Sequence, residues 1–198
     1  MPNDESAVVV DFTVKLSVFI FCELEELCTK VRKIPAGYIK CWQKEMKLTG
    51  PDRYQLTITD GSVSVTAPNG TPHFVAPATN RGDQKLYVVS KGGALLYVGV
   101  TRQPMSVRLR GGLTADGNHG YHGYSWGKKN HTICLDIWYV NGDDVTPIDL
   151  EAIEAEVVFH YRQESDQWPS EQTEIHFRQS NSTHREFAKR VLEALTKE

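Results

Sequence analysis

The stretch KLYVVSKGGALLYVGVTRQPMSVRLRGGLTADGNHGYHGYSWGKK, residues 85–129, decides how the rest of the chain is read. It opens on two short apolar runs, Leu86-Tyr87-Val88-Val89 and Ala94-Leu95-Leu96-Tyr97-Val98-Gly99, with Lys91-Gly92-Gly93 between them. β-Branched and aromatic residues on either side of a Gly-Gly step predict a β-hairpin, because glycine reaches the positive φ of a tight turn at no steric cost. Tyr87 and Tyr97 then stand on neighbouring strands. Beyond them come Arg102, Arg108 and Arg110, and a loop rich in Gly, His and Tyr. The same stretch holds seven Lys and Arg against one acid, Asp116, so it carries +6 in a chain of net charge −3, and the remainder carries −9. A basic segment in an otherwise acidic protein suits an anionic partner, most often a phosphate backbone. On charge alone, a solubilising surface run is the commoner explanation.

The order of residues adds more than the charge. Tyr97-Val98-Gly99, preceded by a tyrosine on the strand before and followed by an arginine nine residues after the glycine, resembles the GIY-YIG nuclease family. Lys85-Leu86-Tyr87 keeps only the tyrosine of the first half of that signature, and Arg108 stands one residue later than usual, with Arg110 as its competitor. The resemblance covers residues 85 to about 178. It implies an α/β (α+β) fold with a small, mainly antiparallel three-stranded sheet flanked by helices. The implied activity is a divalent-metal-dependent endonuclease that hydrolyses DNA phosphodiester bonds, compact and restriction-like, using Mg2+ or Mn2+ and working as a homodimer to cut both strands. A nucleic-acid-binding module that keeps this fold without catalysis is the alternative.

The resemblance also assigns roles. Tyr87 becomes the general base or the hydroxyl that orients the attacking water, and Tyr97 holds that water or the scissile phosphate. Arg108 offers an always-charged donor fork to phosphate oxygens. Glu154 becomes the metal ligand, since the family's glutamate is followed by apolar residues at three, four and seven positions, matched here by Val157, Val158 and Tyr161. Glu156 is the fallback, because His160 and Gln163 fall where apolar residues are expected. Gly112 stands where some members carry a histidine, so His122, with His119 beside it, is the substitute in this sequence. Equally, the loop is a Gly/aromatic segment whose Tyr121, Tyr124 and Trp126 pack or touch nucleic acid. His176 and Gln172 compete for a place near the substrate. Arg102, Arg110, Lys128 and Lys129 are expected to contact the nucleic-acid backbone.

Around this centre the chain reads as an ordinary globular protein. A length of 198 residues, 40% hydrophobic and 24% charged, suffices for a core without disulfides. No apolar run reaches the roughly 18 residues of a membrane helix. The N-terminus, MPNDESAVVVDF, lacks a basic n-region, and Cys22, Cys28, Cys41 and Cys134 form no CxxC pair. A cytoplasmic protein with reduced thiols is the expectation.

Residues 7–21 are strand-like, and residues 23–33 place Leu24, Leu27, Cys28 and Val31 on one helical face, ended by Ile34-Pro35-Ala36-Gly37. Residues 38–48 fit a strand or a short helix. YQLTIT and SVSVTA alternate around Asp60-Gly61, a two-residue hairpin signal. Residues 67–84, rich in Pro, Gly, Asn and Thr, read as a linker or an ordered long loop, and divide an N-terminal extension (1–80) from a nuclease-like domain (81–198). Residues 131–140 predict a strand. Thr146-Pro147-Ile148-Asp149 predicts a helix start, with Leu150, Ile153, Val157, Val158 and Tyr161 as its buried face. Residues 167–172 break that helix, and residues 173–177 follow as a short strand or tucked extended segment. Thr183 and Glu186 form a second capping box, ahead of a stripe of Phe187, Val191, Leu192 and Leu195.

Overall fold

The computed structural model of the chain describes residues 45–195 apart from Gly61, Asp116 and residues 118–122. The strand and helix expected before residue 45, and His119 and His122, lie outside the described residues. The described part belongs to one compact unit, Lys44–Glu198. It is an α+β fold built on an open, five-stranded antiparallel sheet: β1 (Lys47–Thr59), β2 (Ser62–Thr66), β3 (Lys85–Lys91), β4 (Ala94–Thr101) and β5 (His131–Asn141), in the order β2-β1-β5-β3-β4. Three helices accompany it: α1 (Met105–Leu113), α2 (Pro147–Ser165) and α3 (Ser182–Leu195). A 3₁₀ turn spans Ser125–Lys128.

The sheet is wider than the three strands expected. β3, β4 and β5 lie side by side, but β1 pairs with the other edge of β5, so the hairpin assigned to an extension continues the same sheet. An open edge strand carries unpaired N–H and C=O groups, and β1 satisfies those of β5. The long loop after β2 is likewise no free linker. Phe74 is buried and packs at 4.8 Å against the Tyr54 ring, Ala78 O accepts from Met105 N–H at 3.0 Å, and the wholly buried Lys85 donates to Asn80 O at 2.7 Å and Asp83 O at 3.1 Å.

Both hairpins follow from their turn residues. Gly92 and Gly93 have φ of 56° and 76°, closing β3 onto β4 in two residues, as the Gly-Gly step requires. Asp60, at φ 48°, opens the two-residue link between Thr59 and Ser62. Strand alternation then divides the core. Leu86, Val88, Val98, Trp138 and Val140 point to one face, covered by α2 and α3. Tyr87, Val89, Leu135 and Ile137 point to the other, covered by α1, Tyr124, Trp126 and the Phe74 loop.

α2 begins where the sequence places it. The Asp149 carboxylate accepts from the Thr146 N–H at 2.7 Å and from its hydroxyl at 2.6 Å, and Leu150, Ile153, Val157 and Val158 are buried. α3 starts earlier than the expected Thr183 box. Its cap is Asn181, whose side chain accepts from His184 N–H at 3.0 Å, which lets Ser182 enter the first turn. Between these helices residues 168–181 take the tucked alternative, with no regular strand. Glu171 N–H donates to Leu96 O at 2.9 Å, and the Gln172 side chain accepts from Val98 N–H at 2.9 Å, so this strap covers the exposed edge of β4.

Candidate active site

The site is built around the hairpin β3–β4. Tyr87 pairs with Gly99 and Val89 with Tyr97, so both tyrosines face the same side, one diagonal step apart. Their rings stack at 6.0 Å with an interplanar angle of 29°. Gly99 makes this possible: a Cβ there would lie 2.4 Å from Cζ and Oη of Tyr87 and 2.7 Å from Cε1 of Tyr97. The glycine of Tyr-Val-Gly is therefore a packing requirement of the tyrosine opposite.

Arg108 projects from the second turn of α1, and its Nε donates to Tyr87 Oη at 3.1 Å. Arg110 is exposed and does not line the site, which separates the two competing arginines. Tyr87 itself is fully enclosed. Burial first, then the adjoining Tyr124 hydroxyl, drive its phenol well above the usual range against the pull of Arg108. Tyr97 is pushed the same way, by burial and then by Tyr87 and Glu154, with Arg108 opposing. Neither phenol ionises at neutral pH, so each is a neutral hydroxyl.

Beside β4 opens a cavity of about 560 Å³. Tyr97 reaches it from the strand, Arg108 from α1 on one face of the sheet, and Glu151 and Glu154 from α2 on the other. Thr173, Glu174 and His176 border it from the strap, and Lys128 from the 3₁₀ turn. Glu154 is 7% exposed. Burial raises its carboxyl to about 8, Glu151 adds to the rise, Arg108 opposes it and Glu174 adds again. No described group donates a hydrogen bond to it. A carboxylate withdrawn from water without a donor is costly unless a cation completes it.

Glu156 is spoken for elsewhere: Ser180 Oγ donates to it, and His160 Nε2 lies 3.5 Å away. Of the two glutamates, Glu154 alone lines the cavity. Among the described residues no group of three or more His, Cys, Asp or Glu forms a ready-made metal cage. Magnesium does not require one, since it keeps several waters and takes one or two carboxylates plus substrate phosphate. Glu154, with Glu151 on the preceding turn, fits that mode of binding.

The remaining expected residues separate. His176 borders the cavity, its Nε2 3.3 Å from Glu174, whereas Gln172 is occupied on the edge strand and by Glu174 O. Lys129 is drawn to Glu171 at 2.5 Å, leaving Lys128 as the lysine of the pair that lines the site. Arg102 bonds Gly82 O at 3.3 Å, outside the cavity.

One residue that the sequence named only among the loop aromatics that pack or touch nucleic acid stands at the centre, packed. Tyr124 is buried, lies 2.8 Å from Tyr87 oxygen to oxygen, stacks on Trp126 at 4.8 Å, and has Arg108 Cζ 5.7 Å from its ring centre. Its ring fills the space left by Gly112, where a Cβ would lie 2.1 Å from Tyr124 Cε2, and its N–H donates to Gly112 O at 2.8 Å. The empty position on α1 was the visible signal, but nothing in the spacing says which aromatic fills it. Comparison with protein-family models, with curated proteins and with solved structures returned no match for this chain.

Proposed function

We propose that the chain is a divalent-metal-dependent endonuclease that hydrolyses DNA phosphodiester bonds, of the GIY-YIG type suggested by the Tyr87, Tyr97, Arg108 and Glu154 order. One observation carries the reading: a strand tyrosine, a helix arginine and a buried carboxylate without a hydrogen-bond donor, from three elements on both faces of the sheet, meet in one cavity. Phosphodiester hydrolysis requires charge stabilisation at the phosphate and a water aligned against the leaving oxygen. Arg108 supplies the first. Its Nε is held by Tyr87, which orients the planar fork, while the terminal nitrogens carry the remaining donors.

Glu154 would hold the cation, with Glu151 as its neighbour. A bound divalent ion supplies Lewis-acid stabilisation and a more acidic water. Tyr97, at the cavity wall, orients water or phosphate as a neutral donor, and Lys128 gives an exposed positive contact for the nucleic-acid backbone. In sequence, His122 immediately precedes Gly123 and Tyr124, which line the cavity. A dimer would supply two such centres for the two strands.

The test is nicking and linearisation of supercoiled plasmid with magnesium and with EDTA. Wild type is run beside Glu154→Ala, Arg108→Ala and Glu156→Ala. Magnesium-dependent cutting lost in the first two and kept in the third supports the assignment. Salt-sensitive DNA binding with no cutting, across magnesium and manganese, would instead make the chain a binding module without catalysis.

A further inference from the structure

The strap between α2 and α3 is a wall with two sides. Glu174 and His176 border the cavity, and Arg178, two positions further on, donates through Nε to the cavity residue Glu151 at 2.6 Å. The residues between them, Ile175 and Phe177, turn to the opposite side, as alternate residues of an extended chain do. There they line a groove of about 490 Å³ together with Trp168 and Pro169. Thr173 and Glu174 border both spaces, so the groove lies beside the cavity, one chain thickness away.

We propose that this groove binds unpaired nucleobases of single-stranded DNA, stacked on Trp168 and Phe177, on the strand that continues from the cavity. This deepens the nuclease reading and rests on it for the place of that strand. It names the substrate class: DNA with a single-stranded segment, such as a flap, next to the phosphate that is cut. Every base has a face that stacks on an aromatic ring, and cations beside the rings hold the backbone. Both parts are present. The Arg162 guanidinium lies 4.5 Å from the Trp168 ring centre, and Trp168 is still 50% exposed. Arg178, its side chain 44% exposed, follows Phe177 directly. The carboxylate of Glu174 lies 3.3 Å from His176 Nε2.

The strap presents these rings from a fixed frame. At one end Glu171 accepts from Ser125 Oγ and Lys129 Nζ, and the Gln172 side chain accepts from Val98 N–H at 2.9 Å and donates to Glu174 O at 2.9 Å. At the other end Ser180 Oγ donates to Glu156. Single exposed apolar side chains are ordinary on a protein surface, whereas a cluster of them marks a contact. Among the described residues five large hydrophobic side chains are exposed, and the two that share this groove are both aromatic, with Phe177 the most exposed at 72%. The groove lies within the range of about 300–1,000 Å³ usual for ligand pockets. Paired aromatic rings flanked by guanidinium groups suit bases on a phosphate chain better than an aliphatic partner.

The experiment measures binding and cutting separately. Fluorescence anisotropy with a labelled oligothymidylate and with a blunt duplex compares wild type, Trp168→Ala, Trp168→Phe and Phe177→Ala. Each alanine variant is expected to weaken oligothymidylate binding about tenfold, as for one lost stacking contact, with duplex binding changed far less. Trp168→Phe keeps a ring and should recover most of the loss. Both positions are exposed, so melting temperatures should stay at the wild-type value. In magnesium, wild type should cut a flapped duplex faster than a blunt one, and Trp168→Ala should remove that preference. Oligothymidylate affinity unchanged in both alanine variants overturns the proposal. If Trp168→Ala then also dissolves a wild-type dimer, the groove belongs to a second copy of the chain. Equal cutting of flapped and blunt duplexes overturns the substrate class and leaves the nuclease reading intact. Oligothymidylate binding that is lost in the variants, in a wild type that cuts nothing with magnesium or manganese, keeps the groove as a single-strand site and removes the nuclease reading.

Discussion

Glu154→Gln should stabilise the metal-free protein at alkaline pH, and the size of the effect follows from where the carboxyl sits. In the folded chain its pKa rises from an ordinary 4.5 to about 8, first through burial. Between those values the folded state holds a proton that the unfolded state has released. The corresponding stability is fully present below pH 4.5 and is lost as pH rises through about 8. At 1.36 kcal/mol per unit, the shift corresponds to about 5 kcal/mol for a group only 7% exposed. Glutamine keeps the shape and cannot ionise, so it escapes that loss. Wild type and variant should therefore unfold at similar temperatures near pH 5 and differ by on the order of 10 °C near pH 9 in EDTA. Magnesium at a hundredfold over its Kd should restore about 2.7 kcal/mol to wild type and nothing to the variant. Calorimetry at several pH values with and without magnesium measures both effects. Parallel curves for the two proteins would refute the argument that this carboxyl is buried without a donor, and a magnesium response surviving in Glu154→Gln would move the ligand elsewhere.

Other consequences are equally direct. Gly99→Ala places a methyl against the Tyr87 ring and should cost about 1–3 kcal/mol in urea unfolding together with a loss of nicking; a neutral substitution would contradict the close packing of that hairpin. Arg53 donates to Asp136 at 2.8 and 2.7 Å, and Asp136 is 2% exposed, so Arg53→Ala should cost about 3 kcal/mol, and a cost under about 1 kcal/mol would mean that water already reaches the carboxylate. Asn181→Ala removes the cap of α3 and should cost about 1 kcal/mol, read from the denaturant midpoint, while Thr183→Ala should cost much less. Lys128→Ala should reduce the salt dependence of DNA binding by about 0.9 in log–log slope, and an unchanged slope would take Lys128 off the backbone.

How much of this was legible in the chain depends on the range over which each feature is determined. The Gly92-Gly93 turn, the Thr146–Asp149 start of α2 and the buried stripe of that helix were readable because φ preferences, capping and 3.6-residue periodicity act within a few residues. The order Tyr87, Tyr97, Arg108, Glu154 was readable as a pattern, since it needs no distances. Assigning residues 47–66 to a separate extension missed their place in the sheet, because the partner that claims β1 is β5, more than seventy residues away, and alternation alone does not name a partner.

Tertiary structure decided the rest. Glu154 and Glu156 sit two positions apart on one helix and look alike in sequence, but helical geometry turns one into the cavity and the other toward Ser180 and His160. Gly112 was visible only as a missing side chain; the ring that fills it comes from Tyr124, across a loop whose path the local sequence does not dictate. The sequence by itself determined which short pieces form and which chemistry-bearing residues they carry. Which of those residues face each other was decided by burial and close packing between distant segments, which no local pattern encodes.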